Sequence, residues 1–568
     1  MTVTITQTSK AEQLRITPQC TTPGARSWQV ENLNKGSSYL VEESAGGYTC
    51  TCKAWEYSKT STCKHGEAIE WEQQPRLAPV ASLTEYRQQR RKNKAAVDVW
   101  HQHDEASEEQ AIDAGTLPDG VDPTYSKHFP DANILSGIEL NFGQRQAIAE
   151  VMEWLNSSEQ LHLLKGYAGT GKTTVLQALI KLLRQNQDNR RVTAVALTNK
   201  AVKVLQKMML RWGINIECMT VCQLLGLRPK INPKTGKQEF KIDPTVDNSI
   251  AAFDLIICDE CSMVNIELFE LLTGAIESDL FRKQQISFVG DDAQLPPINE
   301  IGSEAFKIES QSVLTDVVRY GSSISAMATE VRENLEKRGD FYYQDDHSAD
   351  RTKGVWDCEL DRWQSFIERA FTSQAYQDDP DACRILAYTN KRVAFLNGIV
   401  RKAIYGELAA VEPYIRGERL IANEPCFSGK TILLQNSSEC ELISAQKSRT
   451  ESRFSAKGCW KAWQLHVLTD EGKYRTLTVL HNDDRAEFEA ELKKLAKAKK
   501  WHQFWDLKQS VHNVGYAYAL TVHKSQGSTF KDVFIDIENI STNRKPAERN
   551  RLQYTALTRA SHRAFIYQ

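Results

Sequence analysis

Apolar runs and amphipathic stretches alternate along the chain from residue 139 onward. The runs LHLLKG, RVTAVALTN, FDLIICDE and QISFVGDD each end in a polar residue, a glycine or an aspartate, whereas VLQALIKLLRQ and KAVKVLQKMML have helical spacing. Strands that are apolar on both faces and are joined by helical crossovers form parallel sheets. The pattern therefore predicts an α/β domain with a parallel sheet, which we assign to residues 139–330.

The same alternation returns in CRILAYTN, DVFIDIE and RAFIYQ, and it predicts a second parallel-sheet α/β domain over residues 331–568. Between these runs, residues 425–512 contain the polar β-like pieces KAWQLHVLTD and KYRTLTVLH. They predict a small β-rich subdomain inserted into the second domain. The lysine-rich helix AELKKLAKAKK in this insertion is either a solvated face or a DNA-contacting patch.

The N-terminal region differs in composition and in the spacing of its apolar residues. Residues 26–71 are rich in aromatics, glycine, serine and threonine with short alternating runs such as SYLVE, which predicts a small β-containing module within residues 1–80. The blocks RQQRRKNK, DEASEEQ and LPDGVDP follow, and opposite charges followed by proline and glycine are typical of a linker. We therefore assign residues 81–138 to a charged linker.

Composition limits the class of protein. The chain has 568 residues, 41% hydrophobic and 25% charged, so it is too long for one core and ordinary for a globular protein. It has no stretch near the roughly 20 apolar residues of a membrane helix and no basic-then-apolar leader, so we expect a soluble cytoplasmic monomer without a membrane partner. The net charge of -2 means that any basic groove for nucleic acid is local.

The segment GYAGTGKT, residues 166–173, follows the run LHLLK and fits the pattern GxxxxGK[ST] at every fixed position. Glycines let backbone amides curl around a phosphate chain at the start of a helix. Lys172 would reach the β- and γ-phosphates, and the Thr173 hydroxyl would ligate Mg²⁺. The predicted nucleotide-binding residues of this segment are Gly166, Ala168, Gly169, Thr170, Gly171, Lys172, Thr173 and Thr174.

Two acidic residues, Asp259 and Glu260, end the apolar run FDLIIC. An aspartate at a strand end beside a phosphate loop can hold Mg²⁺, and the adjacent glutamate can position or deprotonate the attacking water. An acidic pair of this kind is otherwise a solvated strand end. Together with the phosphate loop, the pair predicts hydrolysis of ATP as well as binding.

Eight segments in order resemble the motifs of superfamily 1 helicases. LNFGQRQAI, GYAGTGKTT, ALTNKAVKVL, DECSM, FVGDDAQLPPI, LTDVVRY, ALTVHKSQGSTF and LQYTALTRA are similar to motifs Q, I, Ia, II, III, IV, V and VI. The forms QLPP and TVHKSQGSTF resemble the B branch of RecD and phage Dda. The resemblance implies two RecA-like motor domains and an ATP-dependent DNA helicase that moves 5′ to 3′ on single-stranded DNA and unwinds tailed duplex DNA.

The resemblance also implies roles for individual side chains. Gln144 would contact the adenine, Gln294 would sense the γ-phosphate, and Gln526 and Gly527 would complete the nucleotide site. Arg319 and Arg559 would stabilise charge in the transition state, although an arbitrary arginine more often forms an ordinary ion pair. The residues implied to contact DNA are Thr198, Asn199, Pro296, Thr521 and His523; the last is equally a structural histidine, and the proline could simply end a strand.

Cysteine usage indicates a zinc site. Thirteen cysteines scattered over a long chain are not typical of a disulfide framework, but Cys50, Cys52, Cys63 and His65 form the pattern CxCx10CxH. Three thiolates and one imidazole suit a closed, structural Zn²⁺ site, and the metal would supply folding energy to a small module. The spacing resembles the SWIM zinc finger, which implies binding of DNA or of a protein partner.

Other classes fit the sequence less well. A P-loop phosphotransferase would share the phosphate loop but would not need the second α/β domain or the segment GDDAQLPP. A scaffold with an inactive motor would have no need for Lys172, Asp259, Glu260, Gln294 and Arg559 together. A motor that acts on RNA, or that remodels nucleoprotein without unwinding, is an alternative that the sequence leaves open.

Overall fold

The structure is a computed structural model of the chain. It describes residues 3–7, 12–22, 25–32, 37–44 and 47–50, and residues 128–568 apart from 233–234, 237, 244–248, 278–283, 318–321, 340, 430, 453–454 and 456. The chain divides into two compact units, Met1–Thr116 and Leu117–Gln568. Among the described residues, no helix has the length and apolar character needed to cross a membrane.

The N-terminal unit contains a five-stranded sheet. Its strands are β1 (Val3–Gln7), β2 (Glu12–Thr22), β3 (Ala25–Asn32), β4 (Ser37–Ser44) and β5 (Gly47–Cys50). Each strand pairs antiparallel with the next one along the chain. The sheet is therefore a simple meander, and Cys50 is the last residue of its last strand.

We call residues 128–317 the first lobe. Its strands are β6 (Leu161–Gly166), β7 (Val192–Ala196), β8 (Glu217–Thr220), β9 (Leu227–Ile231), β10 (Gln238–Ile242), β11 (Leu255–Cys258), β12 (Gln285–Gly290) and β13 (Gln311–Leu314). Its α-helices are α1 (Phe142–Asn156), α2 (Lys172–Gln185), α3 (Asn199–Arg211), α4 (Val221–Leu224) and α5 (Ile266–Glu277), with 3-10 turns at Ile250–Ala252, Cys261–Met263 and Glu304–Lys307.

Six strands of the first lobe form one parallel sheet in the order β13-β6-β12-β11-β7-β8. Side chains alternate between two cores: Leu255 and Ile257 of β11 face one, whereas Ile256 and Cys258 face the other. Burial on both faces explains why the runs are continuously apolar. The α/β class with a parallel sheet is thereby confirmed.

We call residues 322–568 the second lobe. Its strands are β14 (Asp346–His347), β15 (Gly354–Cys358), β16 (Cys383–Ala387), β17 (Arg419–Ala422), β18 (Cys426–Ser428), β19 (Thr431–Leu434), β20 (Glu439–Glu451), β21 (Cys459–Thr469), β22 (Tyr474–Leu480), β23 (Val514–Tyr516), β24 (Ala519–Thr521), β25 (Phe530–Asp536) and β26 (Ala560–Tyr567). Its α-helices are α6 (Ser322–Glu333), α7 (Leu360–Phe371), α8 (Gln374–Asp378), α9 (Asn390–Tyr405), α10 (Leu408–Val411), α11 (Asn482–Lys497), α12 (Trp501–Gln509), α13 (Ile537–Ser541) and α14 (Pro546–Leu557), with a 3-10 turn at His523–Ser525.

The described part of the second lobe contains two large sheets and the two-stranded antiparallel hairpin of β18 and β19. The first has the order β14-β15-β26-β25-β16-β24 and is parallel except at β14. The second, which we call the insertion sheet, is antiparallel with the order β22-β21-β20-β17-β23. Its strands β17 and β23 lie just outside the stretch 425–512 and connect the insertion to the parallel sheet.

A buried ion cluster joins the first lobe, the second lobe and the insertion sheet. Lys200 of α3 donates to Asp381 and to Glu439 of β20, each at 3.1 Å. Arg384 of β16 and Arg419 of β17 lie 3.2 and 3.4 Å from the same glutamate. Burial alone would raise the pKa of Glu439, but the three cations outweigh it and hold the pKa at about 2.

Replacing Glu439 with glutamine is expected to lower the free energy of unfolding by about 3 kcal/mol at pH 7. Because the pKa of the native carboxyl is lowered, its stabilising contribution is present above the unfolded value of about 4.5 and is lost as the pH falls through about 2. Thermal unfolding at pH 7 and at pH 3 should therefore show a smaller difference from wild type at pH 3. Glu451→Gln, at the exposed end of the same strand, is the control; an equal effect of both changes would contradict the prediction.

The hairpin of β9 and β10 forms a second connection between the first lobe and the insertion. Trp505 of α12 donates through Nε1 to the carbonyl oxygen of Gly236 at 3.0 Å. Gly236 has a φ of +69°, and a Cβ there would collide with the indole of Trp501. Only glycine fits this approach of the hairpin tip to α12.

Candidate functional site

The phosphate loop connects β6 to α2 and depends on its glycines. Gly169 and Gly171 have φ values of 84° and 85°, which favour glycine. A Cβ on Gly166 would lie 2.7 Å from Thr170 Oγ1, and one on Gly171 would collide with the carboxamide of Gln144. The backbone can therefore curl closely around a phosphate chain at the N-terminus of α2.

The side chain of Lys172 lies over the backbone of the phosphate loop. Lys172 Nζ donates to the carbonyl oxygens of Gly166 at 2.7 Å and Tyr167 at 3.0 Å. Thr173 and Thr174 occupy the first turn of α2 and line the cleft. Thr170 is buried beneath the loop, where its hydroxyl donates to Tyr167 at 2.9 Å.

Gln144 braces the loop from α1. Its side chain accepts from the backbone of Asn141 at 3.1 Å in a capping box, and its Nε2 donates to the carbonyl oxygen of Thr170 at 3.0 Å. The sequence motif implied contact with an adenine. The structure places the carboxamide in the cleft wall, but both of its ends have protein partners.

The acidic pair lies at the end of β11, beside the loop. Burial, followed by the charge of Glu260, raises the pKa of the Asp259 carboxyl to about 7, and a backbone hydrogen bond and Lys172 oppose that shift. Glu260 has a φ of 53°, in the left-handed region that non-glycine residues adopt at a cost of roughly 1 kcal/mol or more. The chain tolerates this conformation where it turns the carboxylate into the cleft.

Gln294 follows β12 and is held by a buried carboxylate. Asp291, which is fully buried, accepts from Ala293 N at 3.0 Å and from Gln294 Nε2 at 3.4 Å. Gln294 is only 4% exposed, and its Oε1 has no hydrogen-bond partner among the described residues. An unpartnered buried acceptor at the cleft is suited to a bound water or a ligand donor.

The second lobe contributes an arginine to the same cleft. The guanidinium of Arg559 is 5% exposed and donates to Thr555 O, Ser528 O and Thr558 Oγ1, each at 3.1 Å. All three acceptors are neutral, and no ion pair among the described residues involves this arginine. A buried cation without a carboxylate is suited to an anionic ligand.

Gln526 and Gly527 bring motif V against the first lobe. Gln526 Nε2 donates to Leu295 O at 3.2 Å. Gly527 has a φ of 71°, and a Cβ there would lie 3.3 Å from Ala201 of α3. The absence of a side chain lets the two lobes approach at the cleft.

Most of these residues line one cleft of about 320 Å³. The predicted residues that the cleft brings together are Gln144, Ala168, Gly169, Gly171, Lys172, Thr173, Thr174, Asp259, Glu260, Gln294, Gly527 and Arg559. Sequence analysis missed Thr529 and Thr558, and also the apolar wall formed by Val204, Leu205 and Met208 of α3. The helical spacing of α3 could have indicated an apolar face, but not that the face meets a nucleotide cleft.

The side chains implied to contact DNA do not form one closed site. Thr198 caps α3 by accepting from Ala201 N at 3.2 Å, and Asn199 begins that helix. Pro296 lines a separate pocket together with Ile301 and Arg551. The two residues from motif V are Thr521, which is buried at the end of β24, and His523, which is half-buried in the 3-10 turn that follows.

Two of the predicted groups lie outside the described residues. Arg319, the proposed motif IV arginine, falls within 318–321. Cys52, Cys63 and His65 fall within 51–127, and for Cys50 only the backbone strand is described. Among the described side chains, no group of His, Cys, Asp and Glu could hold a metal ion.

Comparisons with known proteins agree with this geometry. Residues 139–349 match the model of an AAA domain, and residues 516–567 match the UvrD-like helicase C-terminal domain. The ATP-dependent DNA helicase dda of Enterobacteria phage T4 is 29% identical over 433 residues, covering 70% of this chain and 92% of the phage protein. The RecBCD enzyme subunit RecD of Buchnera aphidicola is 28% identical over 197 residues, covering 31% and 30%.

A crystal structure of the Pif1 helicase from Bacteroides in complex with ADP-AlF3 and single-stranded DNA aligns with a TM-score of 0.41 at 16% identity, covering 74% of this chain and 91% of that one. The two matched segments carry the phosphate loop, the acidic pair and Gln294 on one side, and Gly527 and Arg559 on the other. These are the two walls of the cleft. These matches make the chain similar to superfamily 1 helicases of the Dda and RecD type.

Proposed function

We propose that the protein is an ATP-dependent DNA helicase that hydrolyses Mg-ATP in this cleft and moves 5′ to 3′ along single-stranded DNA. The observation that carries the proposal is the composition of the cleft, which Lys172 and Glu260 of the first lobe line together with Arg559 of the second. A phosphoryl-transfer site divided between two lobes makes turnover depend on their closure.

Each wall has a distinct chemical task. The loop amides and Lys172 bind the phosphates of ATP, and Glu260 accepts a proton from the attacking water. Mg²⁺, when bound, would neutralise charge that develops on the phosphates. The Thr173 hydroxyl and the Asp259 carboxylate would hold it, and the glycine cradle leaves room for the phosphates.

Closure of the cleft couples hydrolysis to movement. Arg559 supplies positive charge to the transferred phosphoryl group, and Gly527 allows its loop to approach α3 within contact distance. Thr198 and Asn199 begin α3, so the helix that meets Gly527 also carries two residues proposed to bind DNA phosphates. Thr521, His523 and Pro296 complete the proposed DNA contacts, and the direction of movement follows from the B-branch resemblance.

Steady-state hydrolysis of ATP with and without single-stranded DNA tests this function. We expect strong stimulation by DNA and weak stimulation by RNA of the same sequence. Duplexes with a 5′ tail should be unwound and duplexes with a 3′ tail should not. Hydrolysis that ignores DNA would reject the helicase, greater stimulation by RNA would favour the RNA motor, and stimulation without unwinding would favour a nucleoprotein-remodelling translocase.

We also propose that Cys50, Cys52, Cys63 and His65 bind one structural Zn²⁺ in a SWIM-type module that recruits DNA or a protein partner. The support is the CxCx10CxH spacing, which supplies four ligands of the types that Zn²⁺ prefers. Metal analysis of the purified chain should find about one zinc per chain. Cys63→Ser should lose the metal, whereas Cys20→Ser in the same unit should retain it; a wild-type chain without zinc would refute the site.

A further inference from the structure

Tyr554 of α14 connects the second lobe to both halves of the nucleotide site. Its side chain is 2% exposed. Its hydroxyl accepts a hydrogen bond from the Ala168 backbone N–H at 3.1 Å and donates one to Asp291 Oδ2 at 2.7 Å. Ala168 belongs to the phosphate loop, and Asp291 precedes Gln294 in motif III. One hydroxyl group of α14 therefore joins the phosphate loop and motif III, which lie far from it along the chain.

Asp291 needs this hydroxyl because the carboxylate is fully buried. A buried carboxylate is costly unless donors satisfy it, and the tyrosine supplies the shortest of its three described hydrogen bonds. Within the described part of the chain no lysine or arginine pairs with Asp291. Loss of the hydroxyl would leave two weaker donors for this charge.

The same carboxylate fixes the orientation of Gln294. A carboxylate only accepts hydrogen bonds, so the amide nitrogen of Gln294 must face Asp291. The amide oxygen is then left without a protein partner in the cleft that Glu260 also lines. In this orientation Gln294 can accept a hydrogen bond from the attacking water.

We propose that Tyr554 is a positioning residue that makes ATP hydrolysis depend on the position of the second lobe. When the lobes separate, the Tyr554 hydroxyl loses its hydrogen bonds to Asp291 and to Ala168 at the same time. Gln294 then loses its fixed orientation. Closure restores both bonds at the time when Arg559 enters. This inference rests on the proposed function, because it assigns a coupling residue to the same ATPase cleft.

The test is Tyr554→Phe, which removes only the hydroxyl. We expect the DNA-stimulated kcat for ATP to fall about tenfold, with KM for ATP and the affinity for an oligo-dT strand changed less than twofold. Tyr343→Phe is the matched control, because that buried hydroxyl donates to Gln553 of the same helix at 2.8 Å and does not contact the loop or Asp291. Both variants should melt at similar temperatures.

A double variant separates positioning from general stability. In a Gln294→Ala background, Tyr554→Phe should cause little further loss of kcat, because both changes remove the same function. Additive losses, or an equal loss in Tyr343→Phe, would overturn the inference. A wild-type chain without DNA-stimulated hydrolysis would instead reject the proposed function, so the two failures are distinguishable.

Discussion

The Glu260→Gln protein is expected to bind ATP but to hydrolyse it about a thousandfold more slowly than wild type. Glutamine has the same shape and can keep the left-handed backbone of this position, but its amide cannot take a proton from water. DNA-stimulated hydrolysis at saturating ATP measures the loss, and titration with a fluorescent ATP analogue measures the binding that should remain.

The control for this change is Glu267→Gln, an exposed residue in the first turn of α5. It carries the same substitution outside the cleft and should leave hydrolysis unchanged. If Glu260→Gln kept hydrolysis within a few fold of wild type, another group would have to be the base, and the mechanism proposed for this cleft would be wrong.

Replacing Arg559 with glutamine should reduce DNA-stimulated hydrolysis about a thousandfold, an effect of the size seen when arginine fingers are removed. The side chain is buried, its donors reach only neutral oxygens, and it lines the same cleft as Lys172 and Glu260. Arg559→Lys should also be strongly impaired, because an ammonium keeps the charge but lacks the planar fork of the guanidinium.

Rapid-mixing measurements of a single turnover would place the defect of Arg559→Gln in the chemical step and not in product release. Arg369→Gln, on the exposed face of α7, is the control for loss of an arginine from the same lobe. A normal single-turnover rate in Arg559→Gln would mean that the arginine does not act on the phosphoryl group.

Sequence patterns predicted the features that depend on residues close together along the chain. The continuous apolar character of the runs at β7 and β11 results from burial on both faces, so the parallel α/β class was predictable and is confirmed. The glycines of residues 166–171 also have a local cause, since the turn itself requires them. A resemblance to helicase motifs then indicated which strand ends belong together.

Contacts between distant segments could not be predicted in the same way. Tyr554 lies in motif VI, and its partner Ala168 is 386 positions away. Glu439 begins β20 and is the buried centre of a cluster with cations from three parts of the fold. Nothing in the local sequence distinguishes either residue from its neighbours.

The joint between the first lobe and the insertion combines contacts that respond differently to ionic strength. Lys203 and Glu471 form an exposed pair at 2.8 Å, with 40% and 47% of their side chains accessible, so dissolved ions screen it readily. The pair of Lys200 with Glu439 is shielded by burial, and the hairpin tip against Trp501 is apolar. Added salt would therefore weaken the exposed Lys203–Glu471 pair before the buried Lys200–Glu439 pair, so the first lobe and the insertion would first lose contacts at the solvent-exposed edge.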